Sequence, residues 1–140
     1  MITPNEDKQA IKAILDTDPY IQEAEFLPEN IKTTRYGNDT LNNNSAPFQI
    51  FIYMGTPENP RNDIQKGSVY NITAVGQRPR SATIDSVVSQ IIALLTEVDI
   101  GRGHILYLLD PPLELESDPG IYVVETTFIC YPTIYNRVKQ

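Results

Sequence analysis

The chain has no tryptophan, one cysteine, one histidine, and 11 lysines and arginines against 18 aspartates and glutamates. Each shortage excludes something. Cys130 alone cannot form an internal disulfide, so nothing points to an oxidising compartment and a cytoplasmic origin is expected. A single cysteine and a single histidine cannot supply a Cys/His zinc set on their own, and His104, in "GRGH", has no evident partner in the sequence. A formal net charge of −7 argues against nucleic acid or an anionic membrane as the principal partner, since both bind through clustered Lys and Arg. No apolar run approaches the roughly 20 residues that cross a bilayer. The opening "MITPNEDKQAIKAIL" reads as an amphipathic helix rather than a secretory leader, so a soluble protein is expected. There is no P-loop, nucleophile elbow or dinucleotide-binding glycine pattern.

What is present suits one folded domain over 1–140: 140 residues, 41% of them hydrophobic and 21% charged. Thr3-Pro4-Asn5-Glu6 has the form of a capping box, and Ala10, Ile11, Ile14 and Leu15 make an apolar stripe, which predicts a helix over 4–16 that Pro19 stops. An extended piece is expected around Ile21 to Phe26. "YGNDTLNNNSAP" is rich in Asn, Asp, Ser and Gly and reads as a mobile loop over 37–47. "FQIFIYM" and "GSVYNITAVG" read as strands, separated by a projecting loop over 55–66 with two prolines. Ile84, Val87, Val88, Ile91, Ile92, Leu95 and Val98 recur at helical spacing, predicting the main helix over 81–99 with Gly101 or Gly103 as its stop. The last strand is expected over 120–132, with Ile121, Val123 and Phe128 on one buried face and a bulge near Thr126-Thr127. The order predicts an α+β fold, a small mixed or antiparallel sheet covered on one face by two helices.

The most unusual stretch is "YLLDPPLELESDPGIYVV", 107–124, with Asp110, Glu114, Glu116 and Asp118 between two apolar runs. A calcium loop counted from Asp110 would need glycine sixth and glutamate twelfth, and those places hold Leu115 and Ile121. What remains is Glu114, Glu116 and Asp118 alternating with Leu113, Leu115 and Ser117. In an extended chain they form one row of carboxylates, a charged edge that discourages stray strand pairing and selects a basic partner. Candidate basic partners are Arg78 and Arg80 in "GQRPRS", with Arg61 and Lys66 in the projecting loop. A head-to-tail contact between the two patches of neighbouring copies would close a ring.

The long helix followed by "ILYLLDPPLELESDPGIYVVETTFICYPTIYN" resembles the tail terminator proteins of long-tailed bacteriophages, through the order of elements and the Pro112-Leu113-Glu114-Leu115 and Ser117-Asp118-Pro119-Gly120 segments, over about residues 47–136. The resemblance implies a non-enzymatic virion protein of the tail or neck, assembled in the host cytoplasm, with no cofactor and no membrane. It would form a ring, a hexamer, that caps the tail tube protein, ends its polymerisation and presents a face to a head-completion or neck protein. DNA would pass through the ring without specific binding, because a lumen lined by carboxylates repels phosphates. The alternatives are a head-closure or other neck ring, a divalent-metal enzyme using the 110–118 carboxylates, and an adaptor domain.

Overall fold

The computed structural model describes residues 4–35, 48–55, 68–101, 103–116 and 119–131. Helix α1, Pro4–Asp16, and a one-turn helix α2, Pro19–Glu23, precede a short strand β1, Ile31–Lys32. Strands β2, Gln49–Met54, and β3, Ser68–Gln77, are followed by helix α3, Ser81–Leu95, and then by β4, Ile105–Leu115, and β5, Ile121–Tyr131. The sheet order is β1-β2-β3-β5-β4, with β1 and β2 parallel and every other pair antiparallel. β3, α3 and β4 therefore form a crossover that skips one position, and β5 inserts into the gap.

One face of the sheet carries the main core. Ile50 and Ile52 of β2, Tyr70, Ile72 and Ala74 of β3, and Val124, Phe128 and Cys130 of β5 pack there against Ile11 and Leu15 of α1, Ile21 of α2, and Ile84, Val87, Val88, Ile91 and Leu95 of α3. This is the expected α+β arrangement. The opposite face holds two smaller apolar groups, Phe51, Val75, Ile121 and Val123, and Val69, Ile129 and Tyr131.

Several local expectations change. Pro19 does not merely end α1; it opens α2, whose N-cap Asp18 accepts a hydrogen bond from the Ile21 amide at 3.1 Å. The segment expected to be extended is thus helical, and Glu25 at φ 73° then turns the chain toward β1. The main helix stops at Leu95 rather than 99. Thr96 leaves the helical region, Glu97 adopts φ 59°, and the Glu97 amide donates to the Leu106 carbonyl at 2.7 Å, so the chain is captured by β4 before either glycine is reached. Gly101, φ 140°, and Gly103, φ 84°, instead shape the following turn, where both amides bond the Asp99 carboxylate.

The stretch after that turn is a strand of eleven residues. Its register breaks between Leu108 and Asp110 and again between Asp110 and Leu113, so the irregularity expected in β5 lies in its partner β4. β5 itself pairs without interruption with β3 from Ile121 to Cys130, and it is central, so Ile121 and Val123 are buried on one face and Phe128 on the other rather than all three together. Thr3, the 37–47 loop and, beyond Gly55, the 55–66 loop lie outside the described residues.

Candidate assembly surface

β4 forms one edge of the sheet. Pro111 and Pro112 lack an amide hydrogen, which a central strand would need and an edge tolerates. Asp110, Glu114 and Glu116 are exposed, and so is Leu113, at 63%. Leu113 pairs with Glu125 and Leu115 with Val123, while Glu114 pairs with Val124 and so points to the opposite side. Leu115 packs on the Phe51 cluster. Asp110 pairs with Thr127 and shares the side of Leu113 and Leu115, so the carboxylates of this edge lie on both sides of the strand rather than in one row. Glu116 follows the strand, and Asp118, Arg61 and Lys66 lie outside the described residues.

The two described arginines expected at an interface are already engaged within the chain. Arg78 donates from Nη1 to Glu114 Oε1 at 3.0 Å, from Nε to the Pro119 carbonyl at 3.1 Å and from Nη2 to the Ile121 carbonyl at 3.1 Å, and its guanidinium lies 5.4 Å from the centre of the Tyr122 ring. It thereby clamps the end of β4 to the start of β5. The charge pairing expected between copies is closed inside one copy for Arg78 and Glu114, because the β3–β5–β4 order places the end of β3 beside the β4–β5 connection. Arg80 pairs with Glu25 at 2.8 Å and lies 4.8 Å from the centre of the Phe48 ring. Arg78, Glu114, Leu115 and Glu116 line a shallow cleft of about 320 Å³. One guanidinium there faces two carboxylates, leaving the cleft acidic.

Beside the clamp, Tyr122 donates to Asp85 at 2.8 Å; that bond, then partial burial, raises its hydroxyl to about 12. On the face away from the helices, Tyr53 donates to Glu125 at 2.6 Å and Thr127 to Asn71 at 2.9 Å. Burial, then the bond to Glu125, raises the Tyr53 hydroxyl above its ordinary value. These polar pairs separate the two apolar groups of that face.

A second constellation joins residues far apart in sequence. Asp7, buried at 4% exposure, accepts from Tyr70 at 2.7 Å through Oδ2 and faces His104 Nδ1 at 3.1 Å through Oδ1. His104 therefore has a partner, 97 residues away in sequence. The donor atoms of Asp7, His104 and Cys130 lie within 4.8 Å of one another. Burial, then the bond to the Asp7 carboxylate, drives the Tyr70 hydroxyl well above its ordinary value, and burial pushes the Cys130 thiol up to about 12. One signal was available: Asp7, Ile11 and Leu15 stand at i, i+4 and i+8, which puts a carboxylate on the buried stripe of α1.

No protein-family description matches the chain, and no curated protein matches it. Among solved structures it is similar to a chain of the "Virion of native gene transfer agent (GTA) particle", with a TM-score of 0.56 and 15% identity over 88% of this chain and 91% of that one. At that identity the likeness shows a shared fold.

Proposed function

We propose that this protein is a non-enzymatic structural subunit of a phage-like virion, acting as a tail terminator: a ring, hexameric as in the family it resembles, that caps the tail tube, ends its growth and offers a face to the head connector. The observation that carries the reading is the fold likeness to a virion chain, which spans nearly the whole of both chains rather than a shared fragment. The resemblance of the 104–136 stretch to tail terminators supplies the finer role. The acidic edge is compatible with it. Exposed Asp110, Glu114 and Glu116 on a chain of net charge −7 make a surface that repels a phosphate backbone, as a channel for DNA must.

The partners in this reading are further copies of the chain, the tube protein and a head-completion protein. The clamp by Arg78 gives the edge a defined shape before assembly, which lowers the ordering cost of association.

Electron microscopy of particles assembled without the protein tests the role. A tube with one growing end and no stop signal keeps adding subunits, so overlong tubes are expected. Finished tails of normal length beside unsealed heads would replace the terminator reading with head closure, and intact joined particles would remove the protein from the neck.

A further inference from the structure

The buried set at the foot of α1 offers three different donor elements to one point. Asp7 comes from the first turn of α1, His104 from the Asp99 turn before β4, and Cys130 from the helix-facing side of β5. Carboxylate, imidazole and thiol together are the mixed oxygen, nitrogen and sulfur set that borderline divalent ions such as Zn²⁺ accept, and that Mg²⁺ and Ca²⁺ do not favour. Bond lengths of about 2.0–2.3 Å to a tetrahedral ion place its ligands roughly 3.3–3.7 Å apart. Asp7 Oδ1 and His104 Nδ1 are already 3.1 Å apart, and the whole set fits within 4.8 Å, so no pair has to close by more than about 1.5 Å.

Two further observations point to a ligand. The Cys130 side chain is buried at 3% exposure on the cluster and makes no hydrogen bond among the described residues. Tyr70, itself fully buried, holds the other Asp7 oxygen at 2.7 Å, the outer contact that orients a ligating carboxylate. The His104 side chain is 18% exposed and leaves a way in for the ion and for a water as fourth ligand.

We propose that Asp7, His104 and Cys130 form a structural site for a Zn²⁺-type cation that pins α1 to the sheet. Asp7 binds as carboxylate and His104 as neutral imidazole through Nδ1; the Cys130 thiol binds as thiolate, so one proton is released to solvent for each ion bound.

The test uses the full, tag-free chain, stripped with chelator and titrated with Co²⁺ and with Zn²⁺. One equivalent of Co²⁺ should produce a thiolate charge-transfer band in the near ultraviolet and ligand-field bands of a four-coordinate ion in the visible, and Zn²⁺ should raise Tm by several degrees. His104→Ala and Cys130→Ala should each abolish the charge-transfer band and most of the Tm rise, while Glu116→Gln keeps both. Because the band reports ligation directly, a variant that is merely less stable still gives a readable answer. No band and no Tm rise in the parent chain would overturn the proposal. So would bands that survive in Cys130→Ala, or that disappear in Glu116→Gln and so place the ion on the acidic edge.

Discussion

β4 and β5 are neighbours of equal length, eleven residues each, bonded to one another along the same ladder, and they do opposite jobs. β5 keeps an unbroken register with β3 and buries side chains on both faces. β4 breaks register twice, has Leu106 as its one buried residue, and carries two prolines and two carboxylates within the strand. What separates them is the next neighbour. A strand with partners on both sides has to be apolar on both faces, whereas a strand at the rim has to end the sheet, and bulges, prolines and charge do that. One strand holds the molecule together and the other meets whatever lies outside it.

The contrast is broken most directly by cutting the same kind of side chain from each strand. Phe128→Ala in β5 empties a fully buried ring site and should cost about 3–5 kcal/mol in chemical denaturation, while Leu108→Ala, opposite it in β4 and 38% exposed, should cost less than about 1 kcal/mol. Comparable losses would show that the rim is as much a part of the core as the centre. Tyr70→Phe comes next. It keeps the ring and removes the donor to Asp7 Oδ2, leaving a buried carboxylate short of a partner, and should lower stability by about 1–3 kcal/mol; an unchanged midpoint would mean the carboxylate finds another donor.

Arg78→Ala should cost about 1 kcal/mol or less despite its several contacts, because the side chains of Arg78 and Glu114 are 45% and 50% exposed and water already screens them. Arg78→Glu combined with Glu114→Arg should recover part of the loss in a double-mutant cycle on the single subunit. Recovery only on assembly would return this pair to the interface between copies. Smallest in stability is Pro111→Val with Pro112→Thr, expected to shift the midpoint by less than about 0.5 kcal/mol while promoting self-association seen by light scattering, since it restores amide hydrogens to an exposed edge. A double variant that stays as soluble as the parent would show that the carboxylates alone protect the rim.

The same contrast explains what could be read from the chain. α1 and α3 were legible because Ile11 and Leu15, and Ile84, Val87, Val88, Ile91 and Leu95, repeat at helical spacing and face one core. β3 was legible because Tyr70, Ile72 and Ala74 alternate with Val69, Asn71 and Thr73. β4 was legible only as a charged edge around Glu114 to Asp118 and not as a strand of eleven residues, because Pro111-Pro112 and the carboxylates are loop signals everywhere except at a sheet edge. The Arg78 clamp depends on β5 entering between β3 and β4, a topological fact with no local signature. The Asp7, Tyr70, His104 and Cys130 group draws on four segments far apart in sequence; only Asp7 on the apolar stripe of α1 hinted at it. The helix that stops at Leu95 was overrun because β4 takes up the Glu97 amide, a tertiary bond that overrides continued apolar periodicity.

The proposed role, a ring that stops a tube, is tested by adding purified protein to overlong tubes made without it and following them by electron microscopy. One ring at the growing end of each tube, no further lengthening when tube subunits are supplied, and tubes newly able to join filled heads are expected. Rings that bind along the tube wall or not at all, with lengthening unchanged, would contradict that role.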